Sequence, residues 1–307
     1  MARKKRILIL SFSGLFIIFV FGALHNGLTV EKYIINSNQL GVNESLRIVL
    51  ITDLHSHIYG ENQTKLVSLI KNQNPDIIAL AGDIADDEMS LEGTKLFLAG
   101  IKGYVPIYYV SGNHEFWSND IKNIKDTIRK YDVTILENSY EQIRVNNSYI
   151  IIGGVDDPDV VKYEKPDFDW RGEMHKAYSE LQETPSFKIL LAHRPELIEI
   201  YKENGFDLVL SGHAHGGQVR IPFILNGLYS PNQGWFPKYA GGAYKHDSLT
   251  HIVSRGVSYN PHLPRVFNPP DQPYINNINV DINKVNVGIK IIKLNFRYLS
   301  LSLEMLL

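Results

Sequence analysis

The sequence predicts an α/β fold behind a single N-terminal membrane-spanning helix. Three observations predict it. An uncharged apolar run occupies 7–24 behind a basic cluster. From residue 47 onward, short β-rich apolar runs alternate with segments of helical spacing. Five of those runs end in polar clusters. Alternation of strand and helix is the pattern of a layered α/β architecture.

The first element is the apolar run. Arg3, Lys4, Lys5 and Arg6 precede it, and no charge interrupts it. Its length is at the lower edge of what a helix needs to cross ~30 Å of hydrocarbon. The positive-inside rule keeps the basic cluster cytoplasmic and sends the rest across. The expected address is therefore the cell membrane, single-pass, with the bulk of the chain extracytoplasmic. A cleaved signal peptide and a buried core helix are the competing readings. Against cleavage, the run is long for a signal peptide, and 21–25 lacks a small-x-small site.

The remaining elements follow in order. Residues 29–37 form a first short strand and 38–44 a polar turn. Strands are expected at 47–52, 75–81, 105–110, 133–138, 149–155, 187–192, 206–210 and 250–254. Helices are expected at 63–72, where Leu66, Leu69 and Ile70 share a face, and at 91–101, 119–131 and 173–182. Residues 290–307 carry enough apolar alternation for strands and could also pack as a helix. With Lys290, Lys293, Arg297 and Glu304 they do not read as a second span.

Composition narrows the function. The 307 residues are 44% hydrophobic, enough for a sizeable core. The formal net charge of -2 gives no basic excess, so no nucleic-acid partner is expected. There is no cysteine, hence no disulfide framework and no thiolate metal site.

The chemistry lies at the strand ends. The clusters are Asp53-Leu54-His55, Gly82-Asp83, Gly112-Asn113-His114-Glu115, His193, and Gly212-His213-Ala214-His215. Carboxylate, imidazole and amide are the ligands of divalent ions such as Mn²⁺, Fe²⁺ and Zn²⁺ when thiolates are absent. Asp-x-His and His-x-His each place two ligands on one side of an extended segment. Gly82, Gly112 and Gly212 allow close backbone approach. In open α/β sheets, sites form at the carboxyl ends of strands, so these residues can share one rim.

In order and spacing these blocks resemble the calcineurin-like metallophosphoesterases, over about 46–268. The bacterial membrane-anchored subgroup is suggested by Gly154 to Pro158, by Leu191 to Glu196, and by Ser254 to Val257 leading to Phe267 to Pro270. The resemblance implies a four-layer α-β-β-α sandwich of two mixed sheets with two divalent metal ions at one edge. It implies that Asp53, His55 and His215 hold the first ion. Asn113, His193 and His213 hold the second, and Asp83 bridges them. It gives His114 no metal, only the phosphate, whose transition state it stabilises or whose leaving oxygen it protonates. The implied organisation is cytoplasmic cluster and anchor at 1–25, linker and first strand at 26–45, metallophosphoesterase domain at 46–270, and a tail of unknown role at 271–307.

Physical chemistry supports the same roles. A phosphodiester is anionic and resists attack by water. Two cations ~3.5–4 Å apart neutralise that charge and lower the pKa of water between them, giving a hydroxide nucleophile. An amide ligand such as Asn113 limits the site's negative charge. Imidazole titrates near neutrality, which suits His114 for proton transfer.

Several residues carry two readings. Arg194 either contacts substrate phosphate or pairs with a carboxylate. Asp156 and Asp157 shape a turn before Pro158 or line the rim. Phe116 and Trp117 read as packing before a substrate cage, and His57 as exposed. Tyr239 and Tyr244 lie in a Gly-rich stretch that could overhang the site. The anchor makes a lipid-linked or cell-envelope phosphodiester or pyrophosphate the expected substrate. A general phosphomonoesterase and a non-catalytic metal-binding receptor are the alternatives.

Overall fold

The computed structural model of this chain describes residues 2–37, 39, 45–145, 148–259 and 263–279. The expected turn at 38–44 and the segment 290–307 lie largely or wholly outside these residues.

Two six-stranded mixed sheets pack face to face. The first contains β1 (Thr29–Asn36), β2 (Ile48–Ile51), β3 (Ile77–Ala81), β4 (Ile107–Val110) and β5 (Val133–Ile135), with β2 to β5 parallel. The second contains β6 (Ser139–Val145), β7 (Ser148–Gly154), β8 (Phe187–Leu191) and β9 (Leu208–Ser211). A small hairpin of β10 (Tyr229–Ser230) and β11 (Gly234–Trp235) follows, then β12 (Gly242–His246) and β13 (Leu249–Val253), which complete the second sheet in the order β12-β13-β9-β8-β7-β6. The last strand, β14 (Asp271–Asn279), returns to the first sheet, whose order is β1-β14-β2-β3-β4-β5.

The alternation of strand side chains explains the layering. Ile48, Leu50, Ile77, Ala79 and Ala81 face Ile150, Ile152, Ile189, Leu191, Leu208 and Leu210 in a core between the sheets. Their neighbours Val49, Ile51, Ile78 and Leu80 point the other way, onto Leu66, Ile70, Phe97, Leu98, Ile124 and Ile128. Those residues come from α2 (Thr64–Lys71), α3 (Glu92–Ile101) and α5 (Ile121–Arg129). On the far side, Ile151, Leu190 and Val209 meet Trp170, Met174, Tyr178, Ile198 and Tyr201, from α7 (Trp170–Tyr178) and α8 (Ile198–Lys202). Two short helices, α4 (Asn113–Trp117) and α6 (Val160–Tyr163), lie at the rim. Strands buried on both faces read as continuous apolar runs, which is why they were recognisable.

Five strands lie outside the sequence expectation: the short β10, β11 and β12, and two more. β6 is polar and mostly exposed, an edge strand without the apolar signal of its neighbours. The tail read from 271 gives its first nine residues to β14, which pairs with both β1 and β2. Pro273 and the neighbouring asparagines hide it, since proline ordinarily argues against a central strand.

The N-terminal run forms α1 (Ala2–Ala23). Among the described residues no helix is long and apolar enough to cross a membrane. The side chains of 2–9, 15 and 18, which include part of the expected anchor, fall outside that description.

One buried histidine predicts how the fold responds to acid. His251 on β13 is fully buried, with Nε2 3.1 Å from Ser211 Oγ. Burial, helped by the nearby His246, lowers its pKa to about 3. A depressed histidine pKa stabilises the fold above the unfolded value of about 6.5, and this contribution is lost as pH falls toward about 3. His251→Gln is therefore expected to reduce the drop in urea midpoint between pH 7 and pH 4. An unchanged pH slope would show that His251 does not contribute to it.

Candidate metal centre

Five parallel strands deliver the centre. Asp53 and His55 follow β2, Asp83 follows β3, and Asn113 and His114 follow β4, three adjacent strands of the first sheet. His193 follows β8, and His213 and His215 follow β9, neighbours in the second sheet. Their carboxyl ends line one rim of the sandwich.

The chain turns sharply as it leaves each strand. Asp53, His55, Asp83, His213 and His215 have φ values between +47° and +65°. This left-handed region is uncommon for residues with a Cβ, and such strain collects at functional sites. Close approach also demands glycine. A Cβ on Gly82 would sit 2.4 Å from His193 Nδ1, and one on Gly112 would sit 2.2 Å from Asp83 Oδ1.

The result includes two adjoining clusters, beside a third set of His55, Asp86 and His114. Ligand atoms of Asp53, His55 and His215 lie within 4.8 Å of one another, as do those of Asp83, His193 and His213. Asp83 connects the clusters, with Oδ2 3.1 Å from His193 Nε2 and 3.8 Å from His55 Nε2. His55 Nε2, Asp83 Oδ2, Asn113 Oδ1 and His193 Nε2 are all buried and have no hydrogen-bond partner. Unpaired buried polar atoms are costly, and four at one rim are what divalent cations would satisfy. The residues present therefore fit a pair of cations.

Outer partners fix the tautomers. His193 Nδ1 lies 2.8 Å from the Ala81 carbonyl, so it carries a proton and turns Nε2 toward Asp83. His55 Nδ1 donates likewise to Asp86 Oδ2 at 3.0 Å. His213 Nε2 lies 2.8 Å from Asn232 Oδ1, which also accepts from Arg194 at 2.7 Å. Two donors facing one amide require its oxygen there, so His213 turns Nδ1 to the site. Residues that orient metal-binding imidazoles typically change affinity 10–100-fold. Asn232→Ala is accordingly expected to weaken binding of one divalent ion by about tenfold or more, read by metal titration. Unaltered affinity would remove Asn232 from the centre.

Electrostatics separates the histidines. Burial keeps His215 neutral, with a pKa of about 3, and Arg265 adds to the effect. Burial likewise holds His213 well below its ordinary value. Neutral imidazoles are the form a cation needs. His193 and His114 differ. Burial opposes charge on both, but Asp83 raises the pKa of His193 to about 10, and Asp83, Asp86 and Asp87 raise that of His114 to about 10. His114 Nδ1 lies 2.5 Å from Asp87 Oδ1 and its Nε2 4.0 Å from Asp83 Oδ2. Burial raises Asp83 as well, yet His193, His114 and His55 drive it well below the carboxylate range.

The expected residues thus converge, with one exception. Arg194 is buried in a two-point ion pair with Asp157, at 2.5 and 3.0 Å, rather than held free for substrate. Asp156 is committed to Ser111 and Lys125. Phe116 is core, whereas Trp117 lies 4.7 Å from the His114 ring at the rim. His57 is half-buried against Tyr259, and Tyr239 packs with Tyr244, His246 and His251.

Four contributors carried no role in the sequence reading. Asp86 and Asp87 hold His55 and His114. Glu115 accepts from four backbone amides around Asp83. Asn232 orients His213. Glu115 stood in the Gly112 to Glu115 block without a role, and the acidic pair three residues after Asp83 was the local signal for Asp86 and Asp87.

Comparison with known proteins agrees with this geometry. The sequence profile described as "Calcineurin-like phosphoesterase" matches residues 46–217. An uncharacterized metallophosphoesterase of Aquifex aeolicus is 30% identical over 249 residues, covering 80% of this chain and 89% of that protein. One from Helicobacter pylori is 32% identical over 226 residues, 71% of this chain, and the match spans only 56% of that longer protein. A Danio rerio relative named as a transmembrane protein with a metallophosphoesterase domain is 28% identical over 70% of this chain and 49% of its own. Among solved structures, the NAD nucleotidase of Haemophilus influenzae shares the fold, with TM-score 0.50 and 17% identity over 70% of this chain and 46% of that one.

Proposed function

The chain belongs to the calcineurin-like phosphoesterase family, hydrolases that use two divalent cations, and from that premise we propose an assignment for each residue of its centre. Asp53, His55 and His215 hold one cation, Asn113, His193 and His213 hold the other, and Asp83 spans the two. The convergence of four buried, unpartnered ligand atoms at one rim carries this reading. When bound, the cations neutralise phosphate charge and lower the pKa of water.

The remaining work falls to the chain. His114, held at Nδ1 by Asp87, presents Nε2 to the phosphate and delivers a proton to the leaving oxygen. Asp86 ties His55 to the same acidic pair, so ligand and acid are positioned together. Arg194 acts from behind, fixing Asn232 and through it His213.

The preferred substrate is a phosphodiester or pyrophosphate of the cell envelope, met at a membrane. Support comes from α1. Leu10, Phe12, Phe16, Ile17, Phe19 and Phe21 are each more than half exposed, which water disfavours and lipid does not. By the positive-inside rule, the Arg3 to Arg6 cluster supports a cytoplasmic helix N-terminus.

The test is hydrolysis of bis-p-nitrophenyl phosphate and p-nitrophenyl phosphate by the full chain, after chelation and then with Mn²⁺, Zn²⁺ or Fe²⁺. Metal-dependent turnover favouring the diester is expected. Preference for the monoester would replace the diester reading. Metal binding without turnover of either ester would leave the non-catalytic receptor as the better account.

A further inference from the structure

A second site lies beside the point where α1 meets the catalytic domain. A cavity of about 520 Å³ is lined by Arg220, Arg255, Glu31, Phe267 and the turn that follows Arg220. The turn is closed tightly: Ile221 N donates to Leu225 O, and Ile224 N and Leu225 N donate back to Ile221 O. At its tip Phe223 is fully exposed and adopts φ +67°, while Ile224 is 82% exposed. A left-handed tip normally takes Gly or Asn. A phenylalanine there meets unfavourable backbone geometry and leaves its ring in water, and nothing among the described residues offsets either.

The cavity wall behind this tip carries two arginines, and they are matched unequally. Arg255 is matched by Asp271 at 2.6 Å and Glu31 at 2.7 Å. Among the described ion pairs none engages Arg220, whose guanidinium bonds Asn226, is half-buried and feels Asp271 at longer range. Phe267 forms another wall, and it also receives α1: its ring lies 5.2 Å from that of Phe19, and its N–H donates to the Ala23 carbonyl at 2.7 Å. Apolar helix end, apolar tip and unpaired guanidinium are therefore contiguous.

We propose that this cavity seats an anionic phospholipid of the bilayer holding α1, its headgroup phosphate at Arg220 and its acyl chains beside Phe223 and Ile224. A guanidinium is suited to phosphate by its fixed fork of donors, and exposed aromatic and aliphatic side chains enter the acyl boundary. Only four residues separate His215 from Arg220, so a lipid seated there holds the catalytic rim at the membrane surface.

The chain has no cysteine, so a single introduced thiol can be labelled uniquely. Full-length Phe223→Cys, Ile17→Cys and Lys176→Cys proteins, labelled with an environment-sensitive dye, are reconstituted into vesicles containing doxyl-labelled lipid. The vesicles are phosphatidylcholine alone or phosphatidylcholine with phosphatidylglycerol. Emission at positions 17 and 223 is expected to shift to the blue and to be quenched, more so at 223 with phosphatidylglycerol, while 176 stays unquenched. Arg220→Gln is expected to abolish the phosphatidylglycerol dependence at 223. Quenching at 17 without quenching at 223 would overturn the site and leave the anchor. No quenching at either would overturn both. A phosphatidylglycerol effect that survives Arg220→Gln would rule out the headgroup assignment. One removed by added inorganic phosphate would assign the cavity to the free anion.

Discussion

Asp83→Ala is expected to lower metal-dependent turnover by at least about a thousandfold, or ~4 kcal/mol of transition-state stabilisation, in a protein that remains folded. The size follows from position. Among the described ion pairs, Asp83 Oδ2 is the one carboxylate oxygen within 4.0 Å of His193, His55 and His114 together. Oδ1 meanwhile accepts the His114 backbone N–H at 2.9 Å, so the same side chain sets where the proton donor begins. Removing it separates the two clusters electrostatically and leaves two cations without a shared anion. Asp83→Asn keeps the shape and one oxygen but loses the charge, so it is expected to retain the His114 contact and still lose a metal ion. Metal content, kcat and urea midpoint, measured on each variant, separate these effects. Alanine at 83 with both ions bound and near-native kcat would refute the bridging role.

The proposed ligands were legible because each sits at the end of a buried parallel strand, where the sequence passes abruptly from continuous apolar residues to Asp, Asn or His. Burial on both faces makes such strands easy to see, and the chemistry then appears as their terminus. The groups that orient the ligands were not legible for the opposite reason. Asn232 lies nineteen residues beyond His213, in the three-residue turn between β10 and β11, and nothing local ties it to an imidazole. Asp86 and Asp87 look like solvated surface charge until the fold turns them onto His55 and His114. Arg194 resolved the other way. Its neighbour in sequence is a ligand, but its partner is Asp157, brought in after β7, so adjacency to the centre did not mean contact with substrate. β14 shows the same limit at the level of fold. Its polar, proline-containing sequence is placed by β1 and β2 on either side, not by its own propensity.

Glu115→Ala is expected to destabilise the protein by ~3–5 kcal/mol, more than loss of any single ligand. Glu115 is wholly buried and no Lys or Arg pairs with it among the described ion pairs; backbone amides surround its carboxylate instead. Oε1 accepts from Ile84 N at 2.7 Å and Ala85 N at 3.0 Å, and Oε2 from Asp83 N at 2.9 Å and Gly112 N at 2.8 Å. Alanine would leave four buried donors facing a void. Each unsatisfied donor costs ~1–3 kcal/mol, reduced where water can enter the space. The damage would reach the chemistry, because these amides form the turn that gives Asp83 its left-handed backbone and connects β3 to β4 at the rim. Glu115→Gln preserves volume but turns an NH₂ toward two N–H donors, so it is expected to be damaging too, although it fills the cavity. The order expected in urea midpoint is native, then Gln, then Ala. Saturating metal is expected to recover part of the Gln deficit, since ligand binding to the folded state adds stability by mass action. A midpoint for Glu115→Ala within ~1 kcal/mol of native would mean that water replaces the carboxylate at all four amides, and that the rim holds its strained turns without it.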